Sequence, residues 1–230
     1  MTIFAVDSSS KAGSAALLCD GALLYEAYAN EGLTHSETLL SRCDEVFKNT
    51  GKTPSDIDYF AVSSGPGSFT GLRIGMSAVK GLAFAANRRC VPVPTMEALA
   101  CGQCETDRLV VTVCDARRSR VYFAAFSCCG SRPKRMAEDA ILTLEELRDF
   151  AANQEKKLLL VGDAAEMCYN FIKDKVSCTV AEGESNYVHA SQVARLAAAM
   201  ICERQDVSAS ELAPDYLLPS QAERNRNEKK

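Results

Sequence analysis

The chain has 230 residues, 47% of them hydrophobic and 24% charged, and a formal charge of −4. This is globular usage, with length enough for one large domain or two lobes of about a hundred residues each. The acidic balance excludes a protein that grips nucleic acid through bulk electrostatics, because counterion release needs clustered Lys and Arg on one face; RNA, if involved, is expected to be held mainly by a partner.

The opening residues, "MTIFAVD", read as a core strand with no room for a secretory leader, and no apolar run approaches the ~18 residues of a membrane span, so a cytoplasmic protein without a membrane segment is expected. Strands are predicted over 2–6, 15–18 and 22–29, joined by the polar turn that starts at Asp7 and Ser8 and by the turn at Asp20-Gly21. A helix over "THSETLLSRCDEVFKNTG" opens on Thr34-x-x-Glu37, a capping-box spacing, and closes on Gly51. Its apolar stripe is Leu39, Leu40, Cys43, Val46 and Phe47. Taken alone, that stripe is an ordinary core face.

A strand over "DYFAVSS" then enters "GPGSFTG" and a helix expected from Thr70 to Asn87. Such a strand–loop–helix corner aims free N–H groups and a helix dipole at whatever lies in front of it, so Asp7, Ser8, Gly65, Gly67, Ser68 and Asp115 are candidates for an anion or nucleotide. The match to known phosphate loops is weak, because the corner lacks both the Lys-Ser/Thr ending of a Walker loop and the third glycine of the dinucleotide fingerprint. The helix is apolar nearly all round: Gly71, Gly75, Ala78 and Gly81 form one stripe, Leu72, Met76, Val79 and Leu82 another, and only Arg73 and Lys80 carry charge. Interior glycines each cost ~1 kcal/mol relative to alanine, so another backbone is expected to approach closely. With its neighbour, this helix suggests an exposed two-helix patch for a partner.

"PVPTMEALACGQCETDR" reads as a crossing, with the boundary between halves near 100–107. Beyond it the pattern returns: a strand LVVTV, a turn Asp115-Ala116-Arg117-Arg118-Ser119-Arg120, a strand VYFAAF, a helix near Thr143, the strand KKLLLVGD and the helix AAEMCYNFI. Asp7 and Asp115 occupy the same place about 108 residues apart, which predicts two α/β lobes built on a duplicated β-β-β-α-β-α unit, 1–104 and 105–220. A late helix from His189 is expected to pack back on the first lobe, and 221–230 is read as a frayed tail.

Catalytic patterns are scarce. His35 and His189 are the only histidines, and His35 is read as a capping or surface residue. Cys101-x-x-Cys104 is half of a zinc ribbon whose nearby complement would be Cys128-Cys129, an unusual spacing, so no metal site is expected. Cys19, Cys43, Cys90, Cys114, Cys168, Cys178 and Cys202 are read as small buried hydrophobes, and Arg117, Arg118 and Arg120 as a solvated cluster that could also meet a phosphate.

"FAVDSSS", "THSETLL", "SSGPGSFTGLRIGMSAVKGLA", "VPTMEALA", "DARRSRVYFA" and "PDYLLP" together resemble the bacterial TsaB family, over nearly the whole chain, with a departure at Leu218 where the family has Arg. The resemblance implies the two-lobed actin-like ATPase (ASKHA) fold and a non-catalytic subunit of the assembly that adds threonylcarbamoyl to the adenosine beside the anticodon of tRNAs. It places Thr95 and Leu99 where the catalytic relative TsaD has its metal-binding histidines. It implies partners TsaD and the ATPase TsaE, tRNA reached through the complex, no cofactor on this chain alone with ATP used by the complex, and a homodimer when the partner is missing. The implied contact runs through His35, Leu39, Leu40, Cys43, Phe47, Gly71, Leu72, Arg73, Gly75, Met76, Val79 and Lys80. The residues alone leave open a self-sufficient actin-like phosphotransferase or ATPase resting on Asp7, Asp115 and the glycine loop, and the old glycoprotease name of the family raises a metallopeptidase.

Overall fold

A computed structural model describes residues 1–32, 34–103, 106–130 and 132–217. Cys104, Leu218 and the expected tail 221–230 lie outside the described residues.

Strands β1 (Thr2–Asp7), β2 (Gly13–Cys19) and β3 (Ala22–Ala29) form an antiparallel meander. Helix α1 (His35–Thr50) follows, then β4 (Tyr59–Gly65), helix α2 (Phe69–Ala86) and β5 (Arg89–Pro94), giving a sheet of order β3-β2-β1-β4-β5. Helix α3 (Thr95–Cys101) leads to the second half. Strands β6 (Leu109–Asp115), β7 (Arg120–Ser127) and β8 (Lys134–Thr143), helix α4 (Leu144–Ala152), β9 (Leu158–Val161), helix α5 (Ala165–Ile172) and β10 (Cys178–Val180) repeat the order as β10-β9-β6-β7-β8. Helix α6 (Ala190–Cys202) ends the repeat.

Both halves therefore share one topology, in the actin-like arrangement, and the repeat is longer than the expected six elements by a strand and a helix. The segment read as a crossing holds β5 and α3. Pro92 and Pro94 hid the strand, since proline cannot donate to a ladder; β5 tolerates them as the outermost strand of its sheet.

Three cores stack through the molecule. α1 and α2 cover the outer face of the first sheet, burying Phe4, Leu17, Leu39, Phe60, Met76 and Val79. α4 and α5 do the same for the second, around Phe123, Leu147 and Leu160. Between the sheets lies the largest cluster, with α6 packed on β1 and β2 and α3 on β6 and β7. Each half thus places a helix on the other's sheet side, which fixes the lobes around the cleft they enclose.

Caps follow the sequence. Glu37 accepts from the Thr34 N–H (3.4 Å) and hydroxyl (2.7 Å), and Gly51 closes α1 in the left-handed region (φ 64°). At α4 the box is reciprocal: the Glu146 N–H donates to the Thr143 hydroxyl (3.2 Å) and the Thr143 N–H to the Glu146 carboxylate (2.8 Å).

The apolar stripes divide differently from expectation. Leu39, Cys43, Leu72, Met76 and Val79, expected at a partner surface, are buried in the chain's own core, and Phe47 packs partly buried against Phe4 with ring centroids 4.6 Å apart. What α1 and α2 leave outside is Leu40 (63% exposed) and Phe84 (82% exposed). Of the cysteines read as buried, Cys43, Cys90, Cys114 and Cys168 are so, Cys19 and Cys178 are half-buried, and Cys202 is exposed. Among the described residues, no helix is long and apolar enough to cross a membrane.

Candidate functional site

The glycines of α2 are explained by the chain itself. A Cβ on Gly71 would fall on the Ser8 carbonyl oxygen, and one on Gly75 on the Ser8 hydroxyl. The Ser8 hydroxyl donates to the Gly71 carbonyl at 2.9 Å. The turn after β1 is thus laid against the first turns of α2, and Gly71 and Gly75 make room for it rather than for a partner. Gly81 differs: a Cβ there would meet nothing within 4 Å.

The same packing engages three donors of the Gly-Pro-Gly corner and the helix start. Ser68 N donates to the Ser9 carbonyl (2.7 Å), Gly71 N to the Ser68 hydroxyl (3.2 Å) and Gly65 N to the Thr95 hydroxyl (3.1 Å). Asp215 N donates to the Ser64 carbonyl, and a Cβ on Gly65 (φ 125°) would strike the Asp215 carbonyl oxygen. Of the six anion candidates, Gly67, Ser68 and Asp115 line the cleft between the lobes, whereas Asp7 and Ser8 are buried and Gly65 is covered by the 215 segment. Asp7 accepts from the Ser9 N–H (3.3 Å) and hydroxyl (2.8 Å); burial raises its pKa, against those bonds and the Ser63 hydroxyl. One Asp7 oxygen thus helps hold the turn, and the other, Oδ2, is buried without a hydrogen-bond partner among the described residues.

The cleft itself, about 730 Å³, gathers residues from both halves. Lys11, Arg73 and Arg117 bring positive charge, and Asp115 and Asp163 carboxylates. Asp163 accepts from the Asp115 N–H (2.9 Å), Asp115 from the Arg117 N–H (2.7 Å), and burial raises the Asp163 pKa. Thr95 and Leu99 sit at the floor, 2% and 1% exposed: the Thr95 hydroxyl holds the Gly65 N–H and Leu99 packs into the core between the sheets. Among the described residues, no three His, Cys, Asp or Glu side chains converge on a point that could hold a metal ion. At the corner the N–H groups of Gly65, Ser68 and Gly71 are engaged within the chain, and the cleft in front of it holds both cations and two carboxylates.

A second concavity, about 670 Å³, runs between α1 and α2 and is lined by His35, Leu40, Phe69, Arg73, Ile74 and Ala78, among others. His35 forms its end wall with a ring nitrogen 2.7 Å from the Ser10 carbonyl, so it is half-buried rather than a cap. Phe69 and Arg73 are shared by groove and cleft. Tyr216 stacks on Phe69 (4.9 Å), its hydroxyl accepts from Arg73 Nε (2.8 Å), and the Arg73 guanidinium lies 3.9 Å from the Phe69 ring centre. Nothing in the sequence signalled Tyr216 at this ridge, 143 residues from Arg73.

The late helix is fastened by His189, which stacks on Tyr28 (4.4 Å) and reaches Glu26 (3.4 Å). Glu26 also accepts from the Ser191 N–H and hydroxyl, both at 2.9 Å. The Glu26 bond raises the His189 pKa against its burial.

The family model described as TsaD, tRNA N6-adenosine threonylcarbamoyltransferase, matches residues 32–225. The chain belongs to the TsaD family. Within that family it is similar to members named tRNA threonylcarbamoyladenosine biosynthesis protein TsaB: one from Haemophilus influenzae is 37% identical over 128 residues, 54% of this chain and 53% of that protein. The match thus spans about half the length of that relative, whereas the TsaB of Bacillus subtilis, 25% identical, is matched over 97% of this chain and 96% of its own. A crystal structure from Pseudomonas aeruginosa, described as an uncharacterized protein with similarity to peptidase YeaZ, superposes with a TM-score of 0.82 at 25% identity, covering 94% of this chain and 99% of that one. The TsaD-family match and the duplicated sheets agree on the actin-like fold.

Proposed function

We propose that the chain is a non-catalytic subunit of the assembly that adds a threonylcarbamoyl group to tRNA adenosine, and that it docks on a TsaD-type catalytic subunit. The single observation that carries the reading is the outer face of α1 and α2: a groove lined by Leu40, Ile74 and Ala78, continued by the open surface at Gly81 and by an exposed Phe84. Two helices presenting small and apolar residues suit a four-helix contact, and a specific one buries more than ~1,000 Å². The names of its relatives supply the pathway. Thr95 and Leu99, at the positions where the resemblance puts metal ligands, offer a hydroxyl already engaged and an aliphatic side chain, which supports a supporting role rather than a catalytic one. TsaE as the ATP-using partner, tRNA reached through the complex, action in the cytoplasm and a homodimer through the same groove complete the proposal.

The test is co-purification of Ala78→Asp and Leu40→Asp variants with the TsaD-type chain of the same genome. Loss of the complex from folded variants is expected; unchanged complex formation would sink the reading. The cleft's Lys11, Asp115 and Asp163 favour the second reading, a self-sufficient phosphotransferase or ATPase. Calorimetry with Mg-ATP on the isolated chain separates the two: sub-100 μM binding with turnover supports the enzyme.

A further inference from the structure

We propose that the β6–β7 hairpin is an RNA-phosphate contact, with Arg117, Arg118 and Arg120 presenting guanidinium groups to the sugar-phosphate backbone of the substrate RNA at the mouth of the cleft between the lobes. The inference rests on the reading of the chain as part of a tRNA-modifying assembly.

The hairpin is strained. Arg117, Arg118 and Ser119 lie consecutively in the left-handed region, at φ 67°, 55° and 55°. Non-glycine residues seldom adopt this region, and glycine or asparagine would meet the geometry with less strain. Three in a row persist only because their surroundings over-determine them. Asp163 accepts from the Asp115 N–H and Asp115 from the Arg117 N–H, while Ala116 N and Arg120 N close the turn on the Arg120 and Arg117 carbonyls at 3.0 and 3.2 Å.

The turn ties its carboxylates to the backbone and leaves its arginines nearly free of ion pairs. The carboxylates of Asp115 and Asp163 are spent on the turn's backbone and line the inside of the cleft. The Arg117 side chain is 87% exposed with a loose 3.5 Å contact to Asp115, Arg118 is exposed and Arg120 half-buried, and neither Arg118 nor Arg120 has an ion pair among the described residues. Lys11 and Arg73 line the cleft with Arg117. On a chain of net charge −4 this is a local field of the opposite sign. A small phosphate ligand inside the cleft would lie beside both carboxylates as well as the cations. An extended polyanion crossing at the turn would meet the exposed Arg117 and Arg118 first. Arginines gathered at one exposed turn suit neighbouring phosphates of a polyanion, and their forked donors match phosphate oxygens.

The experiment measures binding of an unmodified tRNA transcript to the assembled complex of this chain with its TsaD-type partner, by fluorescence anisotropy across a salt series. The Arg117→Ala/Arg118→Ala/Arg120→Ala variant is expected to assemble normally, to bind ~10-fold or more weakly, and to lower the log–log salt slope by about one for each phosphate it no longer neutralises. The corresponding triple Lys variant is expected to keep most of the affinity. Equal affinity and slope in an assembled triple-Ala complex would overturn the proposal without touching the docking reading, which co-purification reads separately. Weakened assembly with unchanged RNA binding would also overturn it, in favour of a protein contact. Should the triple variant fail to fold, the exposed single change Arg118→Glu decides: RNA affinity must fall, and an unchanged value overturns the proposal.

Discussion

Ser8 lies against Gly71: its hydroxyl donates to the Gly71 carbonyl at 2.9 Å, and its own carbonyl oxygen fills the space a Gly71 side chain would take. This pins the turn after β1 to the start of α2. Gly71→Ala must therefore push backbone against backbone, at a cost of ~2–3 kcal/mol. Gly81→Ala, in open space on the same helix, should stabilise the isolated chain by ~0.5–1 kcal/mol through helix propensity alone. Urea unfolding of the two variants measures both; two changes of the same sign would refute this account of the helix.

The buried and exposed residues of α2 predict opposite phenotypes. Met76→Asp places a charge in a core where the native side chain is 3% exposed, so the chain should fail to fold. Phe84→Ser removes an 82% exposed ring and should leave the melting temperature within a degree or two. If the groove pairs two copies, the Phe84 variant should shift toward monomer on sedimentation while Tm holds. A dimer of unchanged affinity places the contact elsewhere.

Much of this architecture could be read from residues alone. Thr34 with Glu37, Thr143 with Glu146 and the left-handed stop at Gly51 are local chemistry, so their helices were foreseen close to their ends. The Asp7–Asp115 echo located the duplication, and the structure adds a second pair: Gly65 ends β4 and Gly162 directly follows β9, at φ 125° and 131°, each under a carbonyl that a side chain would strike. The rotation of α2 was not legible, because apolar and small residues recur at three- or four-residue spacing on more than one face, Leu72, Met76 and Val79 on one and Gly71, Gly75, Ala78 and Gly81 on another. Only the seating of Ser8 on Gly71 and Gly75 chooses which stripe faces inward, and that contact joins residues 63 apart. The cleft was illegible for the same reason: its lining runs from Ser9 to Tyr216.

Thiol reactivity should follow burial. Loss of hydration pushes the Cys43 and Cys168 thiols up to about 12, and Cys114 is raised as well, so none forms the attacking thiolate near neutrality. Cys129 and Cys202 are exposed. Titration with a chromogenic disulfide at pH 8 should label Cys129 and Cys202 promptly, and Cys43, Cys114 and Cys168 only after denaturant is added. Prompt labelling of Cys43 in the folded chain would mean that α1 opens from its sheet.

The junction of α6 with β3 carries a pH signature. Glu26 binds His189 and both donors of Ser191; these bonds outweigh its burial and hold its pKa below the usual carboxylate value, while the same contact raises that of His189. A histidine whose folded pKa is raised contributes stability fully present below its unfolded value of ~6.5 and lost as pH climbs through the folded one. Glu26, held low, contributes above its unfolded value of ~4.3 and loses that contribution as pH falls through the folded pKa. Their joint effect is therefore greatest between about pH 4.5 and 6.5. His189→Gln should cost ~1 kcal/mol in that window and progressively less above it, as the imidazolium that the partly buried carboxylate favours gives up its proton. Denaturant titrations of both chains from pH 5 to 9 read the difference directly. A cost that stays constant across the range would assign His189 to packing against Tyr28 rather than to charge.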